Sequence, residues 1–203
     1  MKQETILRKE ENNTKPYMEK SEYIILVDMD DTMEDLLTSW VECLNRKYNL
    51  QVNPEEVTSW EIPPYFPSLT PFQVYEVLVT EELWKTVKPI DGAVEYLKRL
   101  VEEGFTVRVC TASSPTSYAL KMKWVMKRYF PFLDTRTQCI CIHDKHLLKA
   151  NVLLDDNYKN LLNGSYQGIL FTRKHNKNLD YPIRVNSWEE FYKYVKEDFS
   201  KKL

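Results

Sequence analysis

An apolar run from Tyr23 to Val27 ends abruptly in the sequence Asp28-Met29-Asp30. An unbroken apolar run of this length is typical of a parallel strand that is buried on both faces. In an open α/β sheet, ligands bind at the carboxyl ends of such strands. Because one residue separates Asp28 from Asp30, their carboxylates would point the same way if the extended geometry continued, and would need a cation or a proton between them. An acidic turn after the strand is the alternative.

Strand-like and helical segments alternate along the rest of the chain. Further strands are predicted at 105–110, 138–142, 151–154 and 168–171, and helices at 34–48, 93–103, 117–129 and from 187 to near the end. This alternation predicts an α/β fold with a doubly wound, parallel, five-stranded sheet. The expected organisation is a mobile N-terminal tail at 1–21, a core domain at 22–32 and 89–203, and a helical cap at 33–88.

The cap is expected to be small and mostly helical. Five prolines between positions 54 and 71 exclude a continuous helix over that stretch. Thr70-Pro71 is a typical helix start, with a capping side chain followed by proline at the first helical position. A further short helix is predicted at 81–86.

Charge and composition limit the classes of partner. A net charge of −2 and a pI near 6.0 provide no positive field for a nucleic-acid polymer. No apolar run reaches 18 residues, and the N-terminal stretch is polar. We therefore expect a cytoplasmic location and no membrane partner. P-loop and dinucleotide glycine motifs are absent. The four cysteines lack the paired spacing of a structural zinc site and are expected to be reduced thiols.

Polar side chains follow four of the predicted strands. They are Asp28 and Asp30, Thr111, Lys145, and Asp155 with Asp156. Because the carboxyl ends of parallel strands share one edge of a sheet, these residues are expected to converge. Several carboxylates in one place require a divalent cation, and oxygen ligands suit Mg2+. A lysine and a hydroxyl beside it suit phosphate oxygens. The set therefore predicts phosphoryl transfer, although each residue alone also fits a cap, a solvated lysine or a turn.

This order of motifs resembles the haloacid dehalogenase (HAD) superfamily of Mg2+-dependent phosphatases. Response-regulator receivers use a similar set but place the phosphorylated aspartate on a middle strand. Within the superfamily the chain resembles the 5'(3')-deoxyribonucleotidases, from about Tyr23 to Phe199. The matching segments are 27–30, 110–111, 144–145, 155–156, 171–172, 175–176 and 187–188.

The resemblance implies a covalent route for the reaction. Asp28 would attack phosphorus and become an aspartyl phosphate. Asp30 would protonate the leaving ribose oxygen and then take a proton from the hydrolytic water, so it must carry a proton in the first step.

The resemblance also implies a metal and phosphate site. Mg2+ would be held by Asp28, the backbone carbonyl of Asp30, and Asp156. Thr111 and Lys145 would hold the phosphoryl oxygens. The remaining carboxylate, Asp155, would orient Lys145 or a metal-bound water.

In this superfamily an insertion after the first strand covers the active site, and here that insertion is rich in aromatic residues. Aromatic rings can stack on a nucleobase, but a small helical cap also needs them for its own core. Trp60 lies in a proline-bounded loop and is the predicted base contact. Trp40, Tyr75 and Trp84 lie at helical positions and are predicted to be core residues.

Four positions depart from the family pattern. Asp31 stands where the family usually has glycine; aspartate tolerates a left-handed backbone better than most residues, but it adds a negative charge near the metal. Ala112 replaces a residue that often carries a hydroxyl. Leu36 and Ser59 stand where aromatic rings would be expected.

These observations predict a Mg2+-dependent phosphomonoesterase that acts on deoxyribonucleoside monophosphates. A related phosphatase for a sugar phosphate or another small metabolite is the enzymatic alternative, and a phosphate or nucleotide sensor is the alternative from another class. A pure binder has no need for the pair Asp28 and Asp30, which argues for the enzyme. A homodimer is one assembly that the sequence allows.

Overall fold

A parallel sheet organises residues 17–203, which are the residues that the computed structural model describes. The strands of this region are β1 Ile24–Val27, β2 Thr106–Thr111, β3 Cys139–Cys141, β4 Lys149–Asp155, β5 Ser165–Phe171 and β6 Arg184–Val185. They are ordered β3-β2-β1-β4-β5-β6, and every neighbouring pair is parallel. The predicted parallel α/β fold is therefore confirmed.

The predicted number of five strands is wrong, because the described sheet has six. The additional strand, β6, has only two residues, Arg184 and Val185, which pair with Leu170 and Phe171. A pair of residues is too short to show any apolar period, so the sequence pattern could not reveal it.

Helices connect and cover the strands. They are α1 Leu36–Tyr48, α2 Pro71–Glu76, α3 Glu81–Thr86, α4 Ala93–Glu102, α5 Pro115–Lys121, α6 Lys127–Tyr129 and α7 Trp188–Ser200. The helix predicted at 117–129 is thus interrupted by a π-helical turn at Met122–Met126. Within residues 17–203 no helix has both the length and the apolar character that a membrane span requires.

Local signals in the sequence set several helix ends. Thr70 and Gln73 form a capping box at the start of α2, and the Ser187 hydroxyl accepts a hydrogen bond from the Glu190 backbone at the start of α7. Gly104 follows α4 with a φ of 93°, the left-handed backbone that glycine adopts without steric cost.

The sheet is buried on both faces, as the apolar run of β1 predicts. Ile25 and Val27 belong to a large cluster on one face that includes residues of the α-helices. Leu26 points to the other face and joins a smaller cluster in which no residue of an α-helix takes part. That second face is covered by short turns and loops such as the 3-10 turn Tyr158–Leu161.

The predicted tail at 1–21 falls mostly outside the described residues. Of its described part, Lys20–Glu22 forms a 3-10 turn. The Lys20 ammonium lies 3.1 Å from the Glu103 carboxylate. The turn Lys20–Glu22 is therefore attached to the core, and the domain bounds given from the sequence stay a prediction.

The segment 33–88, which we call the cap segment, leaves the core after β1 and returns beside its starting point. The backbone N–H of Ile90 donates to Met33 O at 3.0 Å, and that of Asp35 donates to Lys88 O at 2.9 Å. Between these ends lie α1, α2 and α3 with 3-10 turns at 54–56, 63–65 and 77–79. The chain therefore enters and leaves the cap segment at neighbouring positions.

The aromatic residues of the cap segment divide into buried and exposed ones. Trp84 and Trp40 are 1% and 8% exposed, as predicted for core residues. Tyr75 is 44% exposed, so its predicted place in the core is wrong. Its helix α2 buries only Val74, and the Tyr75 ring packs against the edge of the cap, 5.4 Å from the Trp40 ring.

Candidate active site

The carboxyl edge of the sheet brings the six sequence-predicted polar residues together. Asp28 directly follows β1, and its backbone N–H continues the ladder by donating to Leu154 O at 2.8 Å. Thr111 ends β2 and Asp155 ends β4. Lys145 begins the 3-10 turn that precedes β4. All except Asp30 are buried, and the residues that converge are up to 128 positions apart in sequence.

Three carboxylates form the acidic centre of this edge. Oxygens of Asp28, Asp155 and Asp156 lie within 4.8 Å of one another. A single ammonium faces them, because Lys145 Nζ contacts Asp28 Oδ1 and lies 2.6 Å from Asp155 Oδ2. Burial raises the pKa of Asp28 to about 8 although Lys145 acts to lower it, and burial also raises the pKa of Asp156 well above its usual range. When all three carboxyls are ionised, the cluster has more negative charge than Lys145 alone neutralises, as a cation site requires.

The two adjacent aspartates differ in what they already bind. Asp155 uses both oxygens, which accept hydrogen bonds from the Asn157 backbone at 2.8 Å, from Asn160 Nδ2 at 3.0 and 3.2 Å, and from Lys145. Among residues 17–203, Asp156 Oδ2 is buried without a hydrogen-bond partner, and its Oδ1 accepts only from the Thr32 hydroxyl at 3.5 Å. The free oxygens of Asp28 and Asp156 fit a hard divalent cation, whereas Asp155 is committed to holding Lys145.

A lysine that the sequence analysis did not single out binds the second catalytic candidate. Lys121 Nζ lies 2.6 Å from Asp30 Oδ2, 2.8 Å from Thr111 Oγ1 and 2.6 Å from Ser113 Oγ. Its side chain is only 2% exposed, and Nζ lies 5.3 Å from the centre of the Trp84 ring. The available signal was a lysine four residues before Val125, on the apolar face of a predicted helix. Lys121 thus fixes the Asp30 side chain, whereas Lys145 contacts Asp28 and Asp155.

Glu34 is a second residue that sequence reasoning missed. It is fully buried, and within the part of the chain that the structure describes neither of its carboxyl oxygens nor Asp30 Oδ1 has a hydrogen-bond partner. Burial raises the pKa of Glu34 well above its usual range, and the charge of the neighbouring Asp30 acts in the same direction. A proton shared between the Glu34 carboxyl and Asp30 Oδ1 would give each group the hydrogen-bond partner that it lacks. In the sequence Glu34 looks like the polar start of a helix, so nothing there marks it.

The turn after Asp30 accommodates the departure at position 31. Asp31 has a φ of 52°, the left-handed conformation that the family's glycine would supply. Its carboxylate accepts from the Leu37 backbone at 3.2 Å and lies 3.5 Å from Arg173 Nη2. Burial raises the pKa of Asp31 to about 7, with Arg173 opposing that shift. The extra charge is therefore paired with an arginine.

The polar loop after β5 reaches back to the acidic centre. Asn176 Nδ2 donates to Asp156 O at 2.7 Å and to Phe171 O at 2.8 Å. The preceding His175 places Nε2 3.0 Å from Asp156 Oδ2, but the two atoms are not aligned as a hydrogen bond. Burial lowers the pKa of His175 to about 4, so the ring is neutral near pH 7. The Trp60 ring of the cap segment lies on this imidazole, with centroids 4.2 Å apart.

Two cavities meet at Asp30 and Ala112. The first, of about 170 Å3, is charged and is lined by Asp28, Asp30, Trp60, Ala112, Lys145, Asp155, Asp156, Asn157 and Asn160. The second, of about 300 Å3, is mostly apolar and is lined by Asp30, Leu36, Tyr75, Leu78, Val79, Trp84, Ala112, Ser113, Ser114, Ser117, Lys121 and His143. A small charged group and a larger apolar one can therefore lie on the two sides of Asp30.

Solved structures with this fold define its class. A HAD family hydrolase from Deinococcus radiodurans, determined with bound phosphate and sodium, has a TM-score of 0.60 at 15% identity over 86% of this chain and 95% of its own. A HAD-superfamily hydrolase of subfamily IA from Geobacter sulfurreducens has a TM-score of 0.56 at 13% identity over 85% of this chain and 96% of its own. The fold is that of the HAD hydrolases.

Sequence similarity narrows the class to one family. Residues 22–200 match the family described as "5' nucleotidase, deoxy (Pyrimidine), cytosolic type C protein". A 5'(3')-deoxyribonucleotidase of Bacillus subtilis is 32% identical over 82% of this chain and 95% of its own length, and one of Clostridium acetobutylicum is 28% identical over 81% and 89%. The chain belongs to the 5'(3')-deoxyribonucleotidase family and is a phosphoric monoester hydrolase. The resemblance inferred from the motifs is confirmed at both levels.

Proposed function

We propose that this enzyme hydrolyses deoxyribonucleoside monophosphates with the help of Mg2+, through an aspartyl-phosphate intermediate. The observation that carries the proposal is the position of Asp30, which borders both the charged and the apolar cavity. Hydrolysis of a phosphate monoester needs an acid at this boundary, where the phosphoryl group meets the leaving oxygen.

Asp28 is the proposed nucleophile. One of its oxygens contacts Lys145, and the other attacks phosphorus as the bond from phosphorus to the ribose oxygen breaks. The proton on Asp30 passes to the departing oxygen. In the second step Asp30 takes a proton from a water that attacks the aspartyl phosphate, which releases phosphate and restores Asp28.

The remaining residues bind the metal and the phosphoryl group. Asp28, the backbone carbonyl of Asp30, and Asp156 would hold Mg2+, which neutralises charge on the phosphoryl oxygens when it is bound. The unpartnered Asp156 Oδ2 supports this assignment. Thr111 and Lys145 donate to the phosphoryl oxygens, and Asp155 orients Lys145.

The leaving nucleoside occupies the apolar side of Asp30. The cavity there offers Leu36, Tyr75 and Trp84, with enough volume for a base or a sugar. Of the tryptophan and tyrosine rings that line the two cavities, two are exposed enough to contact the base: Trp60, at 45%, on the charged side, and Tyr75, at 44%, on the apolar side. Replacing each by alanine and comparing KM decides between them, because only the ring that contacts the base raises KM strongly.

Phosphate release from a panel of 5' and 3' nucleotides and sugar phosphates tests the proposal, with Mg2+ or EDTA and with Asp28→Asn. Release concentrated on deoxyribonucleotides, dependent on Mg2+ and lost in the variant, is the expected result. Equal activity on sugar phosphates would leave the chemistry but remove the substrate assignment. That alternative is supported by Leu36 and Ser59, which stand where the family pattern has rings.

The proposal includes a cytoplasmic location. The four cysteines, Cys43, Cys110, Cys139 and Cys141, are all free thiols. Reduced thiols are typical of proteins in that compartment.

A further inference from the structure

The His175 side chain lies between the cap segment and the acidic centre. Its ring packs against Trp60 with centroids 4.2 Å apart, and its Nε2 lies 3.0 Å from Asp156 Oδ2. Only 3% of the side chain is exposed. One residue of the core therefore contacts an aromatic ring of the cap with its own ring and a carboxylate of the sheet edge with a nitrogen.

The position of this ring is fixed by its neighbour in the chain. Asn176 donates to Asp156 O and to Phe171 O, and Asn176 Oδ1 accepts from the Arg173 backbone at 3.0 Å. The loop is thereby held against Asp156. His175 Nε2 and Asp156 Oδ2 are both buried, neither has a hydrogen-bond partner among the described residues, and they lie 3.0 Å apart.

We propose that His175 is a positioning residue with two separate contacts: its nitrogen orients Asp156 for the divalent cation, and its ring orients Trp60 beside the charged cavity. This inference rests on the proposed function, in which Asp156 binds the metal and Trp60 borders the substrate. Carboxylates that bind metals are commonly held by hydrogen-bonding groups behind them, and losing such a group weakens metal binding.

Two substitutions separate the contacts. His175→Phe keeps an aromatic ring against Trp60 and removes the nitrogen. His175→Gln places an amide nitrogen at about the distance of Nε2 along the side chain and removes the ring. Trp60→Ala removes the ring's partner and leaves Asp156 untouched.

Calorimetric titration of the full chain with Mg2+, without substrate, measures the first contact. Steady-state phosphate release at saturating Mg2+ measures the second through KM. We expect His175→Phe to bind Mg2+ about tenfold more weakly, with KM changed by less than about twofold. We expect His175→Gln to keep Mg2+ affinity within about threefold of the parent and to raise KM in the same direction as Trp60→Ala.

Several outcomes would overturn the inference. His175→Phe binding Mg2+ as tightly as the parent would remove the role of the nitrogen, and equal losses in both variants would indicate a packing role alone. If Trp60→Ala leaves KM unchanged, the second contact has no function in binding. Thermal unfolding of each variant identifies loss of fold. A folded Trp60→Ala variant that loses Mg2+ affinity would contradict the separation of the two contacts.

The test of the His175 nitrogen does not depend on the proposed substrate. The Mg2+ titration needs no nucleotide, so a parent enzyme that binds Mg2+ but releases no phosphate from nucleotides would count against the proposed function only. The predicted difference in Mg2+ affinity between the Phe and Gln variants could still be found or refuted.

Discussion

The carboxylates at the two ends of the sheet differ in how far the protein itself neutralises them. At the amino edge, just before β2, Glu103 accepts hydrogen bonds from Lys196, Tyr192 and Lys20. Burial acts to raise the pKa of Glu103, but these hydrogen bonds exceed that effect and lower it to about 2. One carboxylate there has two ammonium groups, so the charge is satisfied within the protein.

The carboxyl edge has the reverse balance. Asp28, Asp155 and Asp156 share the single ammonium of Lys145, and Asp156 retains an oxygen without a partner. The same fold thus uses charge for its own stability at one edge and leaves charge for a ligand at the other. Changes at the two edges should therefore affect different properties.

The largest expected effect is at the carboxyl edge, on activity alone. Asp28→Asn keeps the shape of the side chain and removes the nucleophile, so we expect kcat to fall by about 10,000-fold or more. The unfolding free energy should not fall, because a carboxylate is removed from an acidic cluster. Single-turnover kinetics and chemical denaturation measure the two properties. Turnover near that of the parent would exclude Asp28 as the nucleophile.

The second prediction concerns the lysine that holds Asp30. Lys121→Met keeps the apolar stem but removes the ammonium, so we expect kcat to fall about 100-fold as Asp30 loses its orientation. Lys123→Met is the matched control, since Lys123 is two residues away with a side chain 55% exposed and ion-paired to Glu81. Equal effects of the two substitutions on kcat would contradict the role of Lys121.

The third prediction measures the unsatisfied charge directly. Mg2+ at 100 times its dissociation constant should raise the unfolding free energy by about 2.7 kcal/mol, because it binds only the folded acidic cluster. Denaturant unfolding with Mg2+ or EDTA checks this value. Asp156→Asn should largely abolish the gain, and a full gain in that variant would place the cation elsewhere.

The smallest expected effect is at the amino edge, on stability alone. Glu103→Gln should cost about 1 kcal/mol near pH 7 and leave kcat unchanged. Because the folded pKa of Glu103 lies below its unfolded value of 4.5, its stabilisation is complete above that value and is lost as the pH falls toward 2. Unfolding of parent and variant should therefore converge in acid. Glu102→Gln, at an exposed ion pair with Lys98, is the matched control.

The site residues that could be predicted from the sequence are those at the ends of strands. Asp28, Thr111 and Asp155 follow apolar runs, and the parallel order alone brings such ends to one edge. The features it missed depend on three-dimensional packing. Lys121 reaches the site from a helix. The two residues of β6 form a strand only because they pair with the edge of β5.

One dipeptide shows that a local turn motif does not by itself determine how the flanking strands pair. Asn163-Gly164, a typical hairpin turn, lies between β4 and β5, and Asn163 has the expected positive φ of 61°. The strands on either side are nevertheless parallel, because the chain crosses over through the turn Tyr158–Leu161 before it pairs again. Similarly, Tyr75 lies in a helix but is exposed, because the face of α2 that is buried contains only Val74.

The adjacent entry and exit of the cap segment have a consequence for how such an enzyme can diversify. The hydrogen bonds that join Met33 to Ile90 and Asp35 to Lys88 involve only backbone atoms, so many other sequences could form them. A segment anchored in this way behaves as an exchangeable cassette: its length and composition can change while the register of the sheet is preserved. Selection, or a designer grafting a new segment at these junctions, could thus alter the range of leaving groups and inherit the hydrolytic machinery intact.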